Sequence, residues 1–244
     1  MRYPDSDITS ISDLLGSLGG RREGGLPIWY RGQSSPWRLR PSLARKEHGV
    51  AAEMTVIKRF KQNAHLLLSP LPFDEWEWLY IMQHHGAPTR LLDWTENPLV
   101  ALYFAVTAKP KISGELWVLL PTELNTESRI KPDFKGDIPG FTDEAMQNYM
   151  PSRLAAEKTS SLWPIAGIAP RNTPRMQVQL GTFTIHHRDR IAIDQVGAQQ
   201  HVWRYTIPAA AKKVVAEELQ TMAMTKLSLF PELSSVGESV KGVI

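Results

Sequence analysis

The chain has 244 residues, 42% hydrophobic and 22% charged, which suits one large domain with a real core and excludes a disordered or fibrous chain. Its 28 Lys and Arg exceed its 25 Asp and Glu by a formal +3, too small an excess to be a nucleic-acid signature by itself. It has no cysteine, which excludes a disulfide framework, thiolate metal ligation and a cysteine nucleophile.

The first residues, Met1 to Asp7, carry no apolar run of signal-peptide length. The longest apolar stretch, Pro98 to Ala108, falls short of the ~20 residues that span a bilayer. A cytoplasmic protein without membrane partners is the expectation. Residues Ile8 to Leu18 predict a short helix ended by Gly19-Gly20, and Arg21 to Gly25 a polar loop. Residues 1–25 are thus expected to form an N-terminal helix and loop, with the main domain over 26–244.

Pro27 to Gly32 predicts a strand entering a tight turn, and Arg38 to Arg45 a basic connection. Val50 to Leu68 has helical spacing, with Ile57, Phe60, Ala64 and Leu67 on one face and Ser69-Pro70 as its stop. Asp74-Glu75 opens a second helix. Asn97-Pro98 reads as N-cap and first residue of a third, running through Phe104.

Glu115 to Leu120 is a buried-strand pattern, and Pro121 to Pro151 reads as mostly irregular. Met176 to His186 and Val202 to Ile207 alternate as strands, and Ala209 to Met222 closes as a helix. The expected class is α+β, a single domain with helices mainly in the first half packed on a mixed or antiparallel sheet. Leu99, Leu102, Phe104 and Trp117 are expected in its main core.

Two segments carry the chemistry. Tyr30-Arg31-Gly32-Gln33 places a guanidinium at a strand end before a glycine. Arginine there can grip phosphate or carboxylate through its planar fork, and glycine lets a ligand approach the backbone. The same arginine can instead pair with a core carboxylate beside a turn.

The run from Gln83 through His84, His85, Thr89, Arg90, Asp93 and Trp94 to Thr95 gathers imidazoles, a guanidinium, a carboxylate, hydroxyls and an indole just before a buried helix. Such a loop suits anion binding, with Trp94 as a stacking face for a planar ring. The bland alternative pairs Asp93 with Arg90 and lets Thr95 turn the chain. Adjacent His84-His85 lacks metal-ligand spacing, so no metal is expected. Arg31 and the 89–95 segment are expected to line one pocket.

These residues resemble the FRG domain family, which is named for an aromatic-Arg-Gly motif, here Tyr30-Arg31-Gly32. The likeness runs through Gln83 to Phe104. It extends to Pro174-Arg175-Met176, to Gln179, Gly181 and Phe183, and to Leu229-Phe230-Pro231-Glu232-Leu233.

A weaker resemblance is to ADP-ribosyltransferases, and it implies NAD as substrate. On that likeness Arg31 holds the diphosphate, and the Thr89–Thr95 segment with the helix after it is the second element. Gln177 to Phe183 sits where a glutamate-bearing strand belongs. The resemblance then implies Arg31, Asp93 and Gln179 in catalytic roles, with Tyr30, Gln33, His85, Thr89, Arg90, Trp94 and Thr95 binding the ligand. Glutamine cannot act as a base, so Asp93 is the group left to favour a cationic ribose.

Three readings stay open. The first is an NAD-binding ADP-ribosyltransferase-like domain acting on a protein or nucleic-acid target. The second is a non-catalytic module for a nucleotide or phosphate ligand. The third is a nucleic-acid-processing protein using Arg31, His85 and Asp93.

Overall fold

The computed structural model describes residues 1–21, 24–130, 136–157 and 159–241. The first half contains β1 (Ser6–Asp7), α1 (Ile11–Gly19), β2 (Trp29–Gln33), α2 (Glu53–Ala64), α3 (Glu75–His84), β3 (Leu91–Thr95), α4 (Pro98–Val106) and β4 (Gly114–Leu119). The second contains α5 (Pro121–Glu127), α6 (Glu144–Gln147), α7 (Pro151–Ala156), β5 (Ile165–Gly167), α8 (Pro174–Val178) and β6 (Gly181–Ile185). It ends with β7 (Val202–Ile207), α9 (Lys212–Thr221), α10 (Lys226–Leu229) and α11 (Leu233–Val240). Among the described residues no helix is long and apolar enough to cross a membrane. Parts of two expected irregular stretches, residues 22–23 and 131–135, lie outside the described residues.

The strands form one mixed sheet in the order β1-β7-β4-β2-β3-β6-β5, so the class is α+β. Only β1 runs parallel to its neighbour, β7; the other pairs are antiparallel. Helices are spread along the whole chain rather than gathered in its first half. The N-terminal segment is built into the fold, since β1 pairs with β7 and Ile8, Ile11 and Leu14 are buried in a common core with α4 and α9.

Local chemistry explains where the helices start. The Ser10, Asp74 and Asn97 side chains accept the amides of Asp13, Glu77 and Leu99, each cap contributing about 1 kcal/mol. Pro98 and Pro121 occupy the first turns of α4 and α5, where a missing N–H costs nothing.

That same device overturns one expectation. Residues 176–186 are not one strand: Thr173 caps and Pro174 starts the short helix α8, and Leu180, at φ 46°, turns the chain into β6. The alternation of apolar residues over 176–180 belongs to a helix end, and only 181–185 is strand. Likewise part of the expected irregular region folds as α5 and α6.

Alternation sorts the strand residues between two faces. Trp29, Trp117, Leu119, Leu92, Trp94 and Val202 pack on one face. On the other lie two separate cores. One joins Tyr30, Leu116, Val118, Trp203 and Tyr205 to α1, α4 and α9. The second joins Leu91, Phe183 and Ile185 to Trp76, Leu79 and Met82 of α3. The polar side chains of β3, Asp93 and Thr95, fall between those two cores.

Candidate functional site

The sheet is held unevenly. Strand β2 pairs with β4 from Trp29–Leu119 through Gln33–Glu115, and β3 pairs with β6 from Leu91–Ile185 through Thr95–Gly181. Between β2 and β3 the register holds at the Tyr30–Thr95 pair. Beyond that pair the strands part, and the seam opens into a cavity of about 190 Å³. Its polar lining comes from Arg31, Gln83, Asp93, Arg175 and Gln179, with Phe104 on the apolar wall.

Arg31 reaches into the seam from β2. Its Nη1 donates to the Asp93 carbonyl oxygen at 2.6 Å and lies 3.8 Å from Asp93 Oδ2. Its Nε donates to Gln33 Oε1 at 3.5 Å, the limit of a hydrogen bond. Nη2 has no hydrogen-bond partner among the described residues. Burial lowers the guanidinium pKa to about 10, opposed by the Asp93 charge, so Arg31 stays cationic at neutral pH.

Among the described residues Asp93 is the only carboxylate lining the cavity, and its side chain is 56% exposed. Gln83 donates from Nε2 to its Oδ2 at 2.8 Å and accepts the Thr89 hydroxyl at 2.5 Å. The carboxylate is therefore aimed from two sides, by Gln83 on α3 and by Arg31 on β2. Thr95 donates to the Gln179 carbonyl oxygen at 2.5 Å, and Gln179 Nε2 donates to the Leu229 carbonyl oxygen at 2.9 Å. Gln179 is the C-cap residue of α8, not a strand residue, so it shapes the cavity wall from a helix end.

Of the residues singled out from sequence, Tyr30, Arg31, Asp93, Trp94, Thr95 and Gln179 meet at this cavity. Others are placed elsewhere. Arg90 is fully buried, with Nε on Glu53 at 2.7 Å and its two terminal nitrogens on the carbonyl oxygens of His186 and Tyr149, both at 2.6 Å. It is a structural tie with no surface open to the cavity. It does not pair with Asp93, which faces Arg31.

Thr89 is fully buried and divides its hydroxyl between Gln83 and the Leu91 amide. Gln33 is buried on Trp37 and Glu115. His85 lines a separate apolar groove with Phe60 and Leu67, so the grouping of Arg31, His85 and Asp93 expected for nucleic-acid processing does not form. Trp94 is 3% exposed and spends its indole N–H on Thr184, which makes it core rather than an open stacking plate.

Two further corrections concern packing. Phe104, expected in the core, is half-buried at the cavity with its ring 5.9 Å from Phe230. Gly32, expected to let a ligand approach, instead lets α4 approach. A Cβ there would stand 1.7 Å from the Ala101 carbonyl oxygen. Gln83, Phe104 and Arg175 also line the cavity, although none of them is among the site residues expected from the sequence. Gln83 begins the polar run that was noticed, and Arg175 stands in the Pro174-Arg175-Met176 motif.

Residues 27–113 match the family model of the FRG domain. The matched span runs from just before β2 to the residue before β4 and includes Arg31, Gln83, Asp93 and Phe104, while Arg175 and Gln179 lie beyond it. Neither the curated proteins nor the solved structures offer a match to this chain.

Proposed function

We propose that this FRG-domain chain binds a phosphorylated nucleotide of the NAD type in the seam between β2 and β3. One observation carries the reading. Arg31 is fixed through Nη1 beside the cavity's only carboxylate, while its Nη2 remains free to donate. An arginine held this way offers an anion a directed, charge-assisted hydrogen bond and needs no reordering to make it.

The cavity, at about 190 Å³, is large enough to admit part of a dinucleotide. Phe104 supplies ring surface beside it.

The finer form of the reading is ADP-ribosyl transfer. The bond between nicotinamide and ribose breaks, its electron pair leaves with the nicotinamide nitrogen, and positive charge spreads over the anomeric carbon and ring oxygen. A nucleophile of the target then attacks that carbon and loses its proton to solvent. Asp93 is the lining group whose charge favours the cation. Binding without cleavage is the second reading, favoured because Asp93 is already engaged by Gln83 and Arg31 and no glutamate lines the cavity.

Calorimetric titration of NAD and ADP-ribose, run beside a nicotinamide-release assay, separates these. Arg31→Lys keeps the charge but loses the fork, and is expected to lose about 1.5–3 kcal/mol of binding. Asp93→Asn is expected to bind nearly as well and to release less nicotinamide. Wild-type protein that binds neither compound ends the NAD reading. Binding without release leaves the non-catalytic module.

A further inference from the structure

The cavity has a second cation that the FRG match does not reach. Arg175 lines it from α8, immediately before β6, whereas Arg31 lines it from β2. One arginine thus comes from each side of the seam. With Asp93 as the single carboxylate, the lining carries two positive charges and one negative.

Arg175 is held in place more than it is bonded. Its guanidinium carbon stands over the Phe230 ring, 4.5 Å from the ring centre, a cation–π contact that holds the group beside the cavity. Nη1 reaches the His84 carbonyl oxygen at 3.3 Å, a long bond. Its nearest carboxylate oxygen, Glu232 Oε1, is 4.0 Å away, beyond hydrogen-bond distance.

Glu232 also sits 3.7 Å from His84 Nε2. Burial, with the charges of Arg175 and His85, lowers the His84 pKa, so at neutral pH the imidazole is uncharged and Arg175 is the cation Glu232 faces. Leu229, Phe230 and Glu232 form one short strap, tied down by Gln179, by the Phe104 ring and by Arg175 in turn.

We propose that Arg175 is the second anion-binding group of the seam, that Arg31 and Arg175 together grip a diphosphate bridge, and that Glu232 is the internal carboxylate the ligand displaces. This rests on the nucleotide reading above and narrows it to ligands with two linked phosphates. The physical case is charge and placement, one arginine lining the cavity from each side of the seam. Two cations around one small cavity repel each other until an anion lies between them, and a loose pair at 4.0 Å is the easier of the two to exchange. A diphosphate carries two linked anionic groups, one for each arginine, where a monophosphate carries one.

The test is calorimetry on the full chain with ADP-ribose, inorganic pyrophosphate and adenosine monophosphate. Arg175→Lys is expected to weaken ADP-ribose and pyrophosphate by at least ~10-fold, the scale of one charge-assisted hydrogen bond, and to leave adenosine monophosphate nearly unchanged. Glu232→Gln is expected to tighten both diphosphate compounds about 3-fold or more, by removing the competitor. A gain of affinity cannot come from misfolding, so this variant stands even where Arg175→Lys folds poorly. If wild type binds ADP-ribose, and Arg31→Lys abolishes it while Arg175→Lys and Glu232→Gln leave it unaltered, the clamp is wrong and the nucleotide reading survives. If wild type binds none of the three compounds, both fall.

Discussion

Arg31 and Arg90 are the same residue type put to opposite uses, and their surroundings explain the difference. Arg90 spends every nitrogen inside the protein, on Glu53 and two carbonyl oxygens, with no exposed surface. Removing it leaves Glu53, whose side chain is 4% exposed, as an unpaired buried carboxylate. Arg90→Ala is expected to cost about 3–5 kcal/mol, read as a fall in the urea midpoint. Pairing it with Glu53→Leu should recover much of that loss, because no charge is then stranded. A midpoint unaltered by Arg90→Ala would contradict the structural role. Arg31→Lys, by contrast, is expected to leave that midpoint nearly unchanged and to act on binding alone. The sequence could not separate the two arginines. Each stands beside chain-turning residues, and the choice between them is made by Glu53, 37 residues away from Arg90.

At the scale of elements, the contact that places the cavity is α4 lying on β2. Two glycines make it possible: a Cβ on Gly32 would meet the Ala101 carbonyl oxygen at 1.7 Å, and one on Gly114 the Ala105 carbonyl oxygen at 2.4 Å. Both obstacles are backbone, so relief requires moving the helix and not a side-chain tip. Gly32→Ala is expected to destabilise by about 1–3 kcal/mol or more and to weaken ligand binding as well, since Val100, Ala101 and Phe104 of that helix wall the cavity. Retention of full stability and binding in Gly32→Ala would show that α4 does not need this approach. Sequence patterning did locate α4, through Asn97 and Pro98, and did locate β4 and β7 by their apolar residues. It misread α8 because Met176, Val178 and Leu180 alternate as a strand does, while the deciding signals were Thr173 and Pro174 just upstream. It misplaced Phe104 because a uniformly apolar helix gives no clue to which side faces a cavity.

For the molecule as a whole, acid stability is set partly by histidines kept neutral inside it. Burial, with Arg90 beside it, drives the His186 pKa down to about 3, and burial with Arg90 and Arg188 drives His187 to about 4. Burial also lowers His201. An unfolded histidine protonates near pH 6.5, so below that pH the unfolded chain takes up protons the folded one refuses. Stability present above about pH 6.5 is therefore lost as pH falls towards the folded values, by on the order of 1 kcal/mol per unit for each such histidine. Glu115, whose pKa burial raises, works in the other direction at the acid end. Urea midpoints measured from about pH 7 to about pH 5 should fall steadily, and His186→Gln should fall less steeply. Identical slopes would remove His186 from the account.

The Tyr30–Thr95 rung has a mechanical consequence. The β2 and β3 strands are laddered along their length to their outer neighbours and paired with each other at this register, so the two halves of the sheet share a narrow joint there. Helix α4 follows β3 in the chain yet packs on β2, so it ties the two halves of the sheet across that joint. A ligand gripped by one arginine from each side would bridge the same two halves that α4 already ties, so it would load the narrow joint rather than either ladder.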